Sequence, residues 1–460
     1  MEKIVFHFTG IGGFGMSALA QMRALSGLPA TGSDRDFDAG RNAETRAALE
    51  NIGIRIFPQD GSGVEAGPAK VVASTAVENS NPDLARAAEL GVPVIHRSEL
   101  LAEHVNSSRA VAVAGTSGKS TVAAMIFEIL DFAGLKPSII TGGALLSLKA
   151  KGLLGNAFSG GGGPLVVEAD ESDGTVARYQ PALGVLLNIT RDHKEVPELR
   201  GIFSAFAANC GEMISCADDP EASAIKPAAG SFGRSAREPR FSDPRPGLFE
   251  SRFKLGGVEF SVPAPGDYSI DNAVAAAAAC ARLGVGLETC AAALSGFKGV
   301  ARRFNVIGRA GGVTVIDDFA HNPAKIAAVL SALRLREGGR VLALFQPHGF
   351  TPARLMRREL AGVLAAALSP GDEVFFPDIY YAGGTVAKDI SSADLAADAA
   401  AAGLKARHLP DRGRVAAEVA AAARPGDIVI VMGARDPGLP ELARNILAAL
   451  SGAPGANGKI

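Results

Sequence analysis

The sequence predicts an α/β protein built from three units, and three stretches carry that expectation. A strand at residues 4–8 runs into Gly10-Ile-Gly-Gly-Phe-Gly-Met-Ser17, a G-x-G-x-x-G turn that opens a helix through Ala18–Leu25. Further on, Val111-Ala-Val-Ala-Gly-Thr-Ser-Gly-Lys-Ser-Thr-Val122 reads as a buried strand, a glycine turn and the start of an apolar helix. In the last third, four apolar runs each end in polar residues, as in an α/β sheet whose working side chains gather at its C-terminal edge.

Composition sets the bounds. A chain of 460 residues is too long for one hydrophobic core. At 47% hydrophobic and 20% charged it reads as a soluble globular protein. Lys+Arg total 46 against 48 Asp+Glu, so no basic excess points to nucleic acid or a membrane surface. Cys210, Cys216, Cys280 and Cys290 form no C-x-x-C pair and read as packing residues of a reducing compartment. With no signal-peptide pattern and no bilayer-length apolar stretch, a cytoplasmic location is expected. The expected domains are residues 1–107, 108–302 and 303–460.

In the first unit the glycine turn makes an anion site. Asp34 follows Thr31-Gly-Ser33 about 20 residues on, where an acidic residue meets a ribose hydroxyl. NAD satisfies that chemistry, and so does a UDP-sugar. Strand-like Val71–Thr75, a helix opened by Asn81-Pro82-Asp83, and Val92–Ile95 continue the parallel pattern.

The second unit opens on a phosphate cradle. Backbone N–H groups of Gly115-Thr116-Ser117-Gly118 and the helix N-terminus face an anion, Lys119 pairs with outer phosphates, and the Ser120 hydroxyl can ligate Mg²⁺. The full G-x-x-x-x-G-K-[ST] pattern is not met, because position 113 is Val; the shorter G-T-x-G-K-[ST] stands. A nucleoside triphosphate is the expected ligand. Gly142-Gly143 and Gly160–Gly163 bracket what reads as a loop. The strand Leu165–Glu168 then exits into Asp170, Glu171 and Asp173, and Leu183–Asn188 leads to Asp192-His193. Glu168 and His193, both at strand ends, could converge on a second Mg²⁺; a solvated acidic loop and a helix-start histidine would look the same. Residues 240–265 read as hairpin strands, and Asn272 as the start of a small-residue helix, where it could bond a base.

The third unit reads as strands Val313–Ile316, Val341–Phe345, Glu373–Phe376 and Ile428–Val431. They deliver Asp317-Asp318 with His321, Gln346-Pro-His348, Asp378, and Arg435-Asp436 respectively. A glycine turn, a phosphate cradle and an edge of carboxylates and histidines together suit an enzyme that activates a carboxylate with ATP and then admits an amine.

These residues resemble the Mur ligases of peptidoglycan synthesis, most closely their alanine-adding branch. The matching stretches run end to end: Gly10–Ser17, Gly32-Ser-Asp34, Asn81-Pro82, Gly115–Ser120, Glu168–Asp173, Asp192-His193, Gly299–Phe304, Asp317-Asp318, Phe345–His348 and Asp378–Tyr380. The resemblance implies a Rossmann-like N-terminal domain for a UDP-sugar, a central P-loop ATPase and a Rossmann-like C-terminal domain that closes over ATP and admits the amino acid. It implies transfer of the γ-phosphate to the carboxylate of UDP-N-acetylmuramate, attack by L-alanine on the acyl phosphate, and ATP and Mg²⁺ as cofactors. By similarity Gly12, Gly13, Gly15, Ser17, Asp34 and Ser74 serve the UDP-sugar. Gly115 to Thr121, Asn272, Arg303 and Asp318 serve ATP; Ser120, Glu168 and His193 hold metal; Lys119, Glu168, His193 and His321 are catalytic. A monomer or weak homodimer is expected.

The chain departs from the family pattern at several places. Ser117 and Ser120 replace His and Thr in G-T-H-G-K-T, and Gly266-Asp-Tyr-Ser-Ile-Asp-Asn272 keeps only the last Asn of G-x-H-N-x-x-N. Asp317-Asp-Phe-Ala-His-Asn-Pro-Ala-Lys325 stands for D-D-Y-G-H-H-P-T-E. Phe345-Gln-Pro-His-Gly-Phe-Thr-Pro352 has Gly349 and Pro352 where F-Q-P-H-R-Y-T-R has arginines, the residues suited to gripping a carboxylate. Arg191 or Arg354 could take over that grip. The competing expectations are a Mur-like ligase with another amine or acceptor, as in murein peptide recycling, an NAD-dependent oxidoreductase fused to an ATPase, and a catalytically idle binding protein.

Overall fold

A computed structural model describes residues 4–67, 69–171, 174–191, 194–381, 383 and 386–452. The chain forms two compact units. One runs to Pro244 and takes in Arg252–Pro263 and Ile270–Val300; the other holds Arg245–Ser251, Ala264–Ser269 and the chain from Ala301 on.

The first unit contains two parallel sheets. Strands β1 (Val5–Thr9), β2 (Ala30–Ser33), β3 (Arg55–Phe57), β4 (Ala69–Ala73) and β5 (Val94–His96) lie in the order β3-β2-β1-β4-β5. The order reverses beside β1, so the glycine turn that follows β1 opens at a topological switch point, where α/β sheets bind ligands. The second sheet comprises β6 (Ala110–Ala114), β7 (Ser138–Ile140), β8 (Ala157–Phe158), β9 (Leu165–Ala169), β10 (Leu183–Leu186), β11 (Glu212–Cys216) and β12 (Gly230–Phe232). Its order, β12-β11-β10-β6-β9-β7-β8, puts β6 in the middle, and only the β7–β8 pair is antiparallel. Every residue of β6 is buried, which is why a strand covered on both faces reads as an unbroken Ala/Val run.

One hydrophobic cluster joins the two sheets, from Phe8 and Leu19 through Ala112 and Val167 to Phe206. A buried polar bridge adds to it: Asn156 accepts from Gln21 Nε2 at 2.7 Å and donates to Phe14 O at 2.7 Å and Ser17 Oγ at 3.0 Å. The expected first and second domains therefore lie in a single compact unit. The stretch 142–163, read from its glycines as a loop, contains a short helix, Leu146–Lys149, and strand β8, which pairs with β7 just before it.

Strands β13 (Phe241–Arg245), β14 (Ser251–Leu255) and β15 (Val258–Val262) form the expected small sheet. The helix after it starts at Gly266, not at Asn272, and continues to Arg282. Gly266 turns the chain at φ +70°, and nothing between Asp267 and Asp271 breaks a helix, so Asn272 sits inside it.

The second unit carries β16 (Asn305–Ala310), β17 (Val313–Asp318), β18 (Val341–Phe345), β19 (Glu373–Pro377), β20 (Lys405–Leu409) and β21 (Ile428–Met432), ordered β16-β17-β21-β18-β19-β20. The β16–β17 pair is antiparallel and the rest are parallel. Two edge strands add to the four expected. In β20 exposed Lys405 and Arg407 alternate with half-buried positions, so no apolar run announces it. Among the described residues, no helix is long and apolar enough to cross a membrane.

Candidate active site

The phosphate cradle is stitched to the next strand by one amide. Asn188, just past β10, accepts from Ser117 N at 2.9 Å and Thr116 Oγ1 at 2.9 Å and donates to Ser117 O at 3.1 Å. Thr116 Oγ1 also lies 2.8 Å from Thr190 Oγ1 and accepts from Thr190 N. The turn is thus held from the neighbouring strand before any ligand contributes. Gly118 caps the helix Lys119–Phe132 at φ +86°, and a Cβ there would come within 2.6 Å of Asn272 Oδ1. The side chain of Asn272 therefore rests against the cradle although the residue lies inside its helix. Thr121 is half-buried in the first helical turn.

Two carboxylates close the cradle. Glu171 accepts from Lys119 Nζ at 2.7 Å. Burial pulls the Lys119 ammonium down, but Glu171, Asp170 and Glu168 outweigh it and hold the group above the ordinary lysine range. At the end of β9, Glu168 Oε2 accepts from Ser120 Oγ at 2.8 Å, Thr141 Oγ1 at 3.0 Å and Gly142 N at 2.7 Å. A hydroxyl and a carboxylate at hydrogen-bond distance, both hard oxygen donors, suit Mg²⁺. His193 and Asp192 lie outside the described residues, as does Asp173. Among the described residues, no group of three or more His, Cys, Asp or Glu is arranged to hold a metal ion.

A cavity of about 830 Å³ connects this cluster with the first glycine turn. Gly12, Gly13, Gly15, Asp34 and Ser74 line one part, and Thr141, Gly142, Glu168 and Asp170 another. Asp34 Oδ2 accepts from Gly12 N at 2.9 Å and Oδ1 from Asp36 N at 2.8 Å, so the residue expected to meet a ribose also pins the turn. Ser17 does not line the cavity. Its position on the helix turns it inward, where its hydroxyl bonds Phe14 O and Asn156.

The second unit gathers the remaining residues at the C-terminal edge of its sheet. Asp318 Oδ2 accepts from Phe304 N at 2.6 Å and Oδ1 from Ala320 N at 2.7 Å. Those bonds hold the turn of Arg302, Arg303 and Phe304, in which Arg302 and Phe304 take positive φ. The Arg303 guanidinium lies 4.7 Å from the centre of the Phe319 ring. His321 Nδ1 is 2.9 Å from Phe319 O, and its ring meets that of His348 edge to face at 5.6 Å. Gly349, at φ +71°, precedes the helix Phe350–Ala367, with Pro352 in its first turn. The two arginines proposed as substitutes already have partners: Arg354 bonds Asp389, and Arg191 pairs with Glu195 at 3.1 Å.

Sequence reasoning missed Asn188 and Thr141. Both are ordinary polar residues just past strand ends, Asn188 after β10 beside β6 and Thr141 after β7 beside β9, and only that placement in the sheet signals them. Glu171 was visible as part of an acidic run, but its pairing with Lys119 was not.

Comparison with known proteins covers nearly the whole chain. The family model for the Mur ligase family, catalytic domain, matches residues 5–109, the Mur ligase middle domain 113–280, and the Mur ligase, glutamate ligase domain 302–435. A UDP-N-acetylmuramate–L-alanine ligase of Streptomyces avermitilis is 37% identical over 466 residues, spanning 97% of this chain and 97% of that protein. One from Dinoroseobacter shibae is 35% identical over 455 residues, spanning 93% and 94%. The crystal structure of a UDP-N-acetylmuramate–alanine ligase from Thermotoga maritima matches with a TM-score of 0.80 at 26% identity, covering 97% of this chain and 98% of that one.

Proposed function

Because the chain belongs to the Mur ligase family, we propose that it is an ATP-dependent amide ligase of peptidoglycan synthesis that joins L-alanine to the carboxylate of UDP-N-acetylmuramate. The observation that carries this reading is the cavity wall. One cavity runs from the Gly10–Gly15 turn and Asp34 to Glu168, whose carboxylate bonds the Ser120 hydroxyl of the phosphate cradle. A sugar nucleotide anchored at the first turn has its acid delivered toward the phosphates. The same family membership sets aside an NAD-dependent oxidoreductase, since the glycine turn lies in the family's first domain.

Residues 1–107 are read as the sugar-nucleotide domain, 108–302 as the ATPase and 303–460 as the amino-acid domain. Gly12, Gly13, Gly15 and Ser74 take the pyrophosphate and sugar. Gly115 to Gly118 give backbone N–H groups to the phosphates, and Lys119 follows the charge that grows on the transferred phosphoryl oxygens. Ser120 and Glu168 would hold Mg²⁺, which neutralises phosphate charge when bound. Asn272 lies where it can touch the nucleotide. In the second unit Arg303 and His321 are the proposed nucleotide and phosphate contacts, and Asp318 acts by fixing the Arg303 turn. A carboxylate oxygen takes the γ-phosphoryl group as the β,γ P–O bond breaks and ADP leaves. The free amine then attacks the acyl carbonyl, phosphate leaves with the electron pair of the broken C–O bond, and the amine's proton passes to phosphate or water. The helix start at Gly349 and Pro352 favours one second reading within this chemistry, an amine other than L-alanine.

The test is phosphate release from ATP with UDP-N-acetylmuramate and Mg²⁺, scanning single amino acids, with the product weighed. Release dependent on L-alanine with a UDP-muramyl-alanine product supports the reading. Release dependent on another amino acid moves the substrate, and no amine-dependent release sinks it.

A further inference from the structure

In the second unit's sheet the chain runs from β17 to β18, leaving a gap that β21 fills later, so the strand order switches at β21 and β18, the place where this fold class forms a crevice beyond the strand ends. Ligands of open α/β sheets bind in such crevices. One guanidinium is built into this one. Arg412, in the loop after edge strand β20, donates through Nη1 to Gln346 Oε1 at 2.8 Å and through Nη2 to Asp436 Oδ2 at 2.7 Å.

Its two anchors are fixed. Gln346, at the end of β18, is 2% exposed, and its Nε2 donates to Asp378 O at 2.6 Å and Pro347 O at 3.1 Å, which turns Oε1 toward the arginine. Asp436, just past β21, spends its other oxygen on Gly438 N at 2.8 Å. Arg412 thus spans the ends of both strands bordering the crevice while its side chain stays 43% exposed. Two of its five N–H donors are engaged, leaving a face of the planar fork for a second carboxylate. Two neighbouring arginines of this edge are committed elsewhere, while Arg435, just past β21, is exposed and is not tied to either strand end. Arg302 bonds Asp317, Gly433 O and Ala434 O, and Arg303 lies over Phe319.

We propose that Arg412 recognises the α-carboxylate of the incoming amino acid, in place of the arginines absent at Gly349 and Pro352. The assignment rests on the ligase reading above: an amino acid brings one carboxylate, and a held guanidinium is the group that binds it in a planar, two-bond manner. Gln346 and Asp436 are positioning residues for it.

The experiment is steady-state kinetics of the full chain and of Arg412→Ala, Arg412→Gln and Arg412→Lys, with L-alanine and with L-alaninamide, which lacks the carboxylate. For R412A and R412Q the KM for L-alanine should rise roughly 10- to 100-fold, the size of a lost charge-assisted pair. The KM for ATP should stay put, R412K should recover part of the loss, and the preference for alanine over alaninamide should collapse. R412Q keeps a polar tether to Asp436, so a folding defect confined to R412A does not remove the test. An unchanged alanine KM, or a retained preference for the acid, overturns the role of Arg412 while leaving the ligase intact. Wild-type turnover without any amine requirement overturns the ligase reading and this role together.

Discussion

Glu171 Oε2 accepts a hydrogen bond from Lys119 Nζ at 2.7 Å, and the two side chains are 3% and 11% exposed. A phosphate reaching the cradle competes with that carboxylate for the ammonium. Glu171→Gln keeps an acceptor but removes the competing charge, so the KM for ATP should fall a few-fold while thermal stability drops, as buried ion pairs broken on one side do. Lys119→Ala should instead lower kcat by roughly 100- to 1000-fold, the scale of losing a group that stabilises transition-state charge. ATP titrations of both variants, with melting curves, check the pair. Equal behaviour of the two would contradict the competition.

Glu168 Oε2 and Ser120 Oγ are 2.8 Å apart, and both are proposed Mg²⁺ ligands. Glu168→Gln should raise the Mg²⁺ concentration for half-maximal activity about tenfold or more, and Ser120→Ala by less, since a charged oxygen binds a hard cation better than a hydroxyl. Removing Mg²⁺ with a chelator should stop phosphate release, with restoration on adding it back. A Mg²⁺ dependence unmoved in E168Q would place the ion elsewhere.

Gly118→Ala meets two obstacles. The left-handed backbone at φ +86° disfavours a side chain, and the new Cβ would stand 2.6 Å from Asn272 Oδ1. A loss of about 1–3 kcal/mol is expected. Asn272→Ala combined with it should restore part of the stability but not ATP binding, if Asn272 touches the nucleotide. Chemical denaturation and nucleotide titration of the single and double variants decide.

The cradle was legible because its chemistry is written in consecutive residues, Gly115 to Ser120. The strand before it was legible because burial on both faces demands an unbroken Ala/Val run. What the sequence hid comes from distant segments meeting. Asn188 reaches the cradle only because β10 lies beside β6, and Arg412 reaches Gln346 only because β20 lies two strands from β18. The helix expected from Asn272 begins six residues earlier, because the alanine run that announces it starts only at Asn272 while Gly266, at positive φ, turns the chain into the helix. Ser17 shows the opposite limit, since a motif position does not reveal which way a helix faces.

Asp317 offers a pH test. Burial pushes its carboxyl up to about 6, against the pull of Arg302, while in the unfolded chain it titrates near 3.8. The folded state therefore holds the proton longer. This contribution to stability is complete below the unfolded value and is lost as pH rises through about 6. Asp317→Asn should remove that slope, a difference of about 3 kcal/mol at most across the window. Urea unfolding of wild type and D317N between these pH values measures it, and parallel curves would contradict the burial argument.

The central claim is that the substrate acid is activated as an acyl phosphate before the amine arrives, and following its oxygen tests this most directly. UDP-N-acetylmuramate labelled with ¹⁸O in the carboxylate is incubated with ATP, Mg²⁺ and L-alanine, and the released phosphate is weighed. Phosphate carrying one labelled oxygen, alongside an amide that has lost one, is the predicted result. Unlabelled phosphate with the carboxylate label intact would mean that ATP is cleaved without touching the acid, and the ligase account would fall.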